Sequence, residues 1–262
     1  MRNTIAGKKA DVKSDRENTA AVALDRVTKS FNGRKVLDGI SFAIAKGKAF
    51  CLMGRSGTGK SVTLRHIIGL VQPDSGKVYV EGRDITALDS RALSDVRKRM
   101  GFLFQNSALF DSMTVGENVA FPMRRHTDWS EEEIRERATK KLGEVGLEGD
   151  FEKMPADLSG GMKKRAGLAR AMALDPCILL VDEPSAGLDP VTAAEIDELL
   201  VERKRGGTTI AVVTHNIPSA RMVGDELAML EEGRIIAQGS VQELDASDNA
   251  LVRAFMRSEG GG

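Results

Sequence analysis

The chain has 262 residues, 41% of them hydrophobic and 29% charged, which is the composition of a folded globular protein and excludes a wholly disordered one. Lysine and arginine together number 38, as do aspartate and glutamate, so the zero formal charge gives no indication of nucleic-acid binding. No apolar run approaches the roughly 20 residues that cross a bilayer, so any membrane role is expected to depend on a partner.

The N-terminal part of the chain is predicted to be a polar tail followed by strands. Residues 1–20 lack the apolar core of a secretory signal, which predicts a disordered tail on a cytoplasmic chain. Apolar and polar residues alternate through 21–45 around the turn at Asn32-Gly33, which predicts partly antiparallel strands. The two cysteines, Cys51 and Cys177, lie in apolar runs and are expected to be small buried hydrophobes.

A glycine-rich segment at 54–61 follows the apolar run AFCLM and precedes a helical pattern. Glycines let successive backbone N–H groups turn toward a phosphate, and the helix that follows adds its positive N-terminal end. Lys60 is expected to reach the β- and γ-phosphates, and Ser61 to bind Mg²⁺. This pattern is shared by kinases, GTPases and ATPases. Its members are Gly54, Arg55, Ser56, Gly57, Thr58, Gly59, Lys60 and Ser61.

A second apolar strand, CILLV, ends in Asp182 and Glu183. Both carboxylates are therefore expected at the carboxyl edge of the sheet, beside the phosphate loop. There Asp182 would hold the magnesium shell and Glu183 would polarise an attacking water.

The rest of the chain predicts a helical insertion within a mostly parallel sheet. The segment at about 108–174 has a helical pattern, with a capping box predicted at Ser130 and Glu133. A strand, a helix at 191–204 and the strand TTIAVVT follow, and a hairpin is predicted around Glu232-Gly233. Residues 246–262 are expected to form a C-terminal helix and a flexible tail.

The segment LSGGM at 158–162 resembles the signature motif of the ABC ATPases. The resemblance extends over about residues 21–241 and implies the α/β fold of the phosphate-loop NTPases, with a mostly parallel core sheet, an antiparallel β subdomain and a helical signature subdomain. The ABC ATPase domain would occupy 21–245. Four further positions match functional residues of that family. They are Phe31 as the adenine-stacking aromatic, Gln105 as the Q-loop glutamine, Asp189 as the D-loop aspartate and His215 as the switch histidine.

This resemblance implies a head-to-tail homodimer in which two ATP molecules lie between the subunits. Ser159, Gly160 and Gly161 of one copy would complete the ATP site of the other, with Asp189 nearby. Glu183, His215 and Gln105 would be the catalytic residues, and Ser61, Gln105 and Asp182 would be the Mg²⁺ ligands. Integral membrane permease subunits are the implied partners, and a groove near Gln105 would receive a short permease helix.

Two features narrow the resemblance to the Mla/Mce branch of lipid transporters: Met162 in place of glutamine, and the stretch NSALFDSMTVGENVAFPMR. They imply phospholipid transport, a lipid-binding Mce-type subunit and a position on the cytoplasmic face of the inner membrane. Met162 is expected to make apolar or steric contacts. Other interpretations remain: Ala108, Leu109 and Phe110 only pack the subdomain, and the chain serves an importer of another substrate, a non-transport ABC ATPase, a nucleoside kinase or GTPase, or a scaffold that no longer hydrolyses nucleotide.

Overall fold

A computed structural model describes residues 20–258 of the chain. Of the tail predicted at 1–20, residues 1–19 lie outside the described residues, as do the last four residues of the predicted C-terminal tail, whereas Ala20 is a strand residue and the predicted tail is wrong there. The strands are β1 Ala20–Phe31, β2 Arg34–Ala45, β3 Ala49–Met53, β4 Ser75–Val80, β5 Arg83–Asp84, β6 Met100–Leu103, β7 Ile178–Asp182, β8 Thr209–Thr214, β9 Glu226–Glu231 and β10 Arg234–Gly239. The helices are α1 Lys60–Ile67, α2 Ser90–Arg97, α3 Val115–His126, α4 Glu131–Gly143, α5 Gly160–Ala171, α6 Pro190–Arg205, α7 Ile217–Val223, α8 Val241–Asp245 and α9 Ala250–Arg257.

The strands form two sheets, as the α/β prediction requires. Strands β2, β1, β4 and β5 make an antiparallel sheet in that order. Strands β10, β9, β3, β8, β7 and β6 make the second sheet, in which only the β9–β10 pair is antiparallel. The carboxyl ends of the neighbouring parallel strands β3, β8 and β7 therefore lie at one edge of this sheet.

The central strands separate two hydrophobic clusters. On β3, Cys51 and Met53 belong to one cluster, which includes buried residues of helices α3 to α7. The alternate residues Phe50 and Leu52 belong to the other, between the two sheets and helices α1 and α2. Because successive side chains of a strand point to opposite faces, a strand covered on both sides is apolar throughout. This explains why AFCLM and ILLVD are buried at every position.

Helices α3, α4 and α5 lie within the segment predicted to be helical. The capping box of Ser130 and Glu133 at the start of α4 is confirmed, and a second one joins Thr114 and Glu117 at the start of α3. The predicted hairpin around Glu232-Gly233 is confirmed by the β9–β10 pair. The predicted helix at 191–204 is confirmed as α6.

The two cysteines differ in burial. Cys51 is buried in β3, as predicted, whereas Cys177 precedes β7 and is only half-buried. The prediction of a buried strand position is therefore wrong for Cys177. Its sulfur donates to the Arg99 carbonyl oxygen at 3.5 Å. None of the described helices is long and apolar enough to cross a membrane. Helix α9 packs on the larger core through Val252 and Met256.

Candidate functional site: a phosphate loop with paired carboxylates

The glycine-rich loop connects β3 to α1, which is the strand–loop–helix context that the sequence predicts. Gly54 has φ +156°, and a Cβ there would lie 2.4 Å from the carbonyl oxygen of Leu230 in β9. Gly59, at the N-cap of α1, has φ +105°, and its Cβ would lie 2.9 Å from the Val36 carbonyl oxygen. Side chains are therefore excluded at both positions by the backbone beneath the loop, while Arg55, Ser56 and Gly57 are exposed.

Lys60 is a buried cation held among oxygen atoms of the loop. Only 5% of the residue is exposed. Its Nζ donates to the carbonyl oxygens of Gly54 at 2.8 Å and Arg55 at 3.1 Å, and lies 3.3 Å from Glu183 Oε1. An ammonium group needs such partners when it is removed from water. The loop thus concentrates one positive charge beside the free N–H groups of a helix N-terminus.

Ser61 and Asp182 form a small oxygen cluster. Ser61 Oγ donates to Asp182 Oδ1 at 2.8 Å. Burial raises the pKa of Asp182, and the hydrogen bond from Ser61 acts in the opposite direction. A hydroxyl beside one carboxylate fits Mg²⁺, which prefers oxygen ligands and completes its shell with water and phosphate oxygens. Within residues 20–258, no group of three or more His, Cys, Asp or Glu is placed to hold a metal by itself.

Glu183 and His215 are brought together at the same edge of the sheet. Glu183 Oε2 accepts from His215 Nδ1 at 2.9 Å and from the His215 backbone N–H at 3.2 Å. The Glu183 backbone has φ +47°, a left-handed conformation that is costly for a residue with a side chain. Its N–H donates to the Val213 carbonyl oxygen at 2.9 Å. The strained turn is therefore fixed on several sides, and the carboxylate lies between the lysine and the histidine.

Two predicted site residues stand apart from this cluster. The side chain of Gln105 is exposed and makes no hydrogen bond to another described residue, although its carbonyl oxygen accepts from Lys164 Nζ. Phe31, at the end of β1, is 42% exposed, and Lys29 Nζ lies 5.5 Å from the centre of its ring. The structure leaves both side chains open to solvent, so their roles toward ATP and Mg²⁺ stay predictions.

The signature segment begins α5 and lies at the surface. Ser159 is the N-cap, and its Oγ accepts from the Met162 N–H at 3.2 Å. Ser159 and Gly160 are exposed, whereas Gly161 is buried against Thr192 of α6, where a Cβ would lie 2.4 Å from Cγ2. Met162 is half-buried against the larger core, which confirms its predicted apolar contact.

Asp189 is committed to capping α6. Its Oδ1 accepts from the N–H groups of Val191 and Thr192, each at 3.0 Å, and its Oδ2 accepts from Thr192 Oγ1 at 2.6 Å. The hydrogen bond from the Thr192 hydroxyl, followed by that from its N–H, lowers the pKa of Asp189. Thr192 therefore joins the predicted D-loop aspartate to the signature glycine within one chain.

The sequence interpretation missed two cations on α5 that clasp the loop after β6. Lys164 is 5% exposed and donates to the carbonyl oxygens of Gln105 and of Glu183, the latter at 3.0 Å. Arg170 donates to the carbonyl oxygens of Ser107 at 2.8 Å and Ala108 at 2.7 Å. One signal was available: Lys164 lies at helical spacing from the buried residues Gly161 and Leu168, where an apolar residue is normal.

A buried polar network joins α6, α7 and Ser185, which lies two residues after Glu183. Asp197 of α6 is buried, and one of its oxygens accepts from Ser219 Oγ of α7, which is 3.4 Å from Ser185 Oγ. The other oxygen, Asp197 Oδ1, has no hydrogen-bond partner among the described residues. Burial raises the pKa of Asp197 to about 6, despite the hydrogen bond from Ser219.

Comparisons with known proteins identify the family. The family model described as ABC transporter matches residues 37–186. The probable ribonucleotide transport ATP-binding protein mkl of Mycobacterium bovis is 43% identical over 237 residues, which are 90% of this chain and 66% of that relative. This chain thus spans slightly less than two thirds of that protein's length.

Two other proteins are matched over nearly their whole length. The intermembrane phospholipid transport system ATP-binding protein MlaF of Escherichia coli is 40% identical over 243 residues, covering 92% of this chain and 90% of that one. The dimeric ATP-binding cassette MJ0796, solved in a post-hydrolysis state with ADP and Pi, superposes with a TM-score of 0.78 and 34% identity, covering 84% of this chain and 98% of that chain. The chain therefore belongs to the ABC transporter family and contains its ATP-binding domain.

Proposed function

We propose that this chain hydrolyses ATP to power transport of phospholipid between membranes. The observation that carries the ATPase assignment is the contact of buried Lys60 with buried Glu183, whose carboxylate also accepts from the exposed His215. Phosphoryl transfer requires mainly positioning and charge neutralisation, which such a group can supply. Lys60 would neutralise charge on the β- and γ-phosphates, while Glu183, oriented by His215, would accept a proton from the attacking water.

Ser61 and Asp182 are proposed to hold Mg²⁺, with Gln105 as a further ligand. Bound Mg²⁺ neutralises charge that develops on the phosphate oxygens. The burial of Asp182 supports this role, because a carboxylate in a poorly solvated place is stabilised by a cation. Phe31 is proposed to stack on the adenine ring, and its exposed ring is free for such a contact.

The ATP site is proposed to be completed by a second copy of the chain. Ser159 and Gly160 are exposed at the start of α5, where backbone N–H groups and the positive helix end suit a γ-phosphate. No hydrogen bond joins Ser159 to the loop at 54–61 in the described part of the chain. The dimeric state of the MJ0796 cassette supports the same arrangement here, with Asp189 near the interface.

Glu183→Gln tests the ATPase and the dimer together. It keeps the shape of the side chain while removing the proton acceptor, so we expect kcat to fall at least about 100-fold while ATP binding is retained. ATP should then hold the variant as a dimer, which light scattering would detect. Glu198→Gln, at an exposed position of α6, is the matched control. Turnover near that of the wild type, or a monomer with ATP bound, would contradict the proposal.

A groove beside the helical region is proposed to receive a short helix of a membrane permease. It has a volume of about 640 Å³ and includes exposed aromatic rings of Phe110 and Phe121, whose centroids are 5.0 Å apart. Its lining includes Arg97, Lys98 and Arg170, so a helix with acidic residues would match its charge. Phe121→Glu should release the chain from its permease and leave its own ATP binding intact.

The phospholipid assignment is supported by similarity to MlaF and by the ALFDS and NVAFP stretches around this groove. Membrane association on the cytoplasmic face and an Mce-type lipid-binding subunit belong to the same proposal. The chain should be co-expressed with a candidate permease sought among the neighbouring genes, and the complex assayed for ATP-dependent movement of a fluorescent phospholipid between vesicles. Movement of a ribonucleotide instead, as the name of the mkl relative suggests for that protein, would overturn the lipid assignment but keep the ATPase.

A further inference from the structure

Lys164 has no charged hydrogen-bond partner among residues 20–258, which is unusual for a buried lysine. Its Nζ donates to two backbone carbonyl oxygens that are 78 positions apart in sequence, those of Gln105 and Glu183. Burial lowers the pKa of the Lys164 ammonium group, and the charges of Asp182 and Glu183 offset this only in part, whereas a side chain such as methionine would fill the same space without that cost. A purely structural role therefore accounts poorly for a lysine at this position.

One of the two carbonyl groups belongs to a strained residue, Glu183, and the other lies just before a strained turn. Glu183 has φ +47°, and Ser107 and Ala108, which follow Gln105 by two and three residues, have φ +58° and +50°. Left-handed backbone of non-glycine residues persists only where the surroundings fix it. The Glu183 N–H group donates to Val213 of β8, and the Glu183 carboxylate accepts from His215, which directly follows β8. The Glu183 carbonyl oxygen accepts from Lys164 of α5.

We propose that Lys164 is a positioning residue, which ties α5 to the backbone of Glu183 and of Gln105 and so sets where the Glu183 carboxylate lies. The inference rests on the proposed ATPase function. Lys164 is one helical turn after Ser159, Gly160 and Gly161, so α5 carries the proposed γ-phosphate contact at its N-terminus and this clasp on the same rigid element. A shift of α5 at the signature therefore reaches the Glu183 backbone through one side chain.

The test compares three variants of the full chain at two neighbouring positions. Lys164→Met keeps most of the side-chain volume and removes the donors, and we expect kcat to fall about 100-fold while the KM for ATP stays within about threefold, because misplacement of a reacting group lowers kcat. Lys164→Arg should recover most of the loss because a guanidinium also donates to carbonyl groups. Lys163→Met removes the same charge from a half-buried neighbour and should stay within about twofold of the wild type.

Backbone hydrogen exchange provides a readout that does not depend on turnover. In Lys164→Met, exchange should rise in the peptides around 104–108 and 183–187 and remain unchanged in α3 and α4. Equal kcat in Lys164→Met and the wild type, an equal loss in Lys163→Met, or a rise in exchange spread over the whole chain would overturn the inference. A wild-type chain that fails to hydrolyse Mg-ATP would overturn the proposed function, whereas the first three outcomes would leave it intact.

Discussion

The phosphate loop and the signature segment handle their polar groups in opposite ways. In the loop, Lys60 is buried and finds three oxygen partners within the chain, two of them backbone carbonyls of the loop itself. In the signature, Ser159 and Gly160 are exposed, and beyond the N-cap bond to Met162 their helix end faces solvent. The ammonium group of the phosphate loop is thus satisfied within the chain, whereas the polar groups of the signature segment are open to solvent.

The phosphate loop and the signature segment share one feature, a helix N-terminus, but use it differently. Both place a helix N-terminus where a phosphate can bind, which is favourable because the free N–H groups and the helix dipole carry positive charge. Only the first adds a full charge and paired carboxylates. The proposed division is therefore that one copy supplies the chemistry and its partner supplies the closing contact.

Lys60→Ala should impair the phosphate loop most severely. It removes the buried positive charge, so we expect turnover to fall more than about 100-fold and ATP affinity to fall about tenfold or more. Nucleotide binding by calorimetry and phosphate release would measure the two effects. Lys46→Ala, at an exposed position in the turn between β2 and β3 and outside the phosphate loop, is the control. Intact ATP affinity in Lys60→Ala would contradict the proposed contact.

Ser159→Arg should separate the roles of the phosphate loop and the signature segment. A bulky side chain at this exposed helix end would block the partner, so turnover should fall about 100-fold, while the isolated chain should bind ATP within about threefold of the wild type. Fluorescent ATP titration of the monomer, followed by an ATPase assay, distinguishes the steps. If monomer affinity fell in parallel with turnover, the signature would belong to the site of its own chain.

Asp197→Asn should change how the free energy of unfolding depends on pH. The pKa of Asp197 is raised to about 6 from its ordinary 3.8, so between these values the folded state binds more protons than the unfolded state. The contribution of Asp197 to stability is therefore present below about pH 4 and is lost as the pH rises toward 6 and above. Replacing it with neutral Asn should leave stability at pH 4 similar and increase it at pH 7 by up to about 3 kcal/mol. Urea unfolding at both pH values measures this difference, and an equal effect at both would refute it.

Gly161→Ala tests how tightly the signature is fixed to α6. The added methyl group would meet Thr192 Cγ2 at 2.4 Å, and Thr192 is held by its hydrogen bonds to Asp189. We expect a loss of about 1–2 kcal/mol in the free energy of unfolding. Combining it with Thr192→Ser, which removes that methyl group and keeps the hydroxyl, should recover most of the loss. A loss that is unchanged in the double variant would place the clash elsewhere.

The sequence was sufficient for features that depend on local chemistry. The phosphate loop between β3 and α1, the carboxylates at the end of β7, the capping box at Ser130 and the β9–β10 hairpin are all written in short patterns of residues. It was insufficient where distant backbone segments meet. The left-handed conformation of Glu183, the clasp by Lys164 and the raised pKa of Asp197 depend on neighbours 19 or more positions away, and no local pattern specifies such neighbours.

The close approach of Gly54 to Leu230 bears on where the chain can be divided. The family match ends at residue 186, and all residues of the phosphate loop precede it. Yet the underside of that loop rests on a carbonyl group of β9, and Gly59 rests on Val36, whose carbonyl oxygen would also lie 2.9 Å from a Cβ at Gly233. The β9–β10 hairpin thus supports the phosphate loop from below. A fragment that ends at residue 225 would keep every motif residue but lose the backbone against which the loop packs.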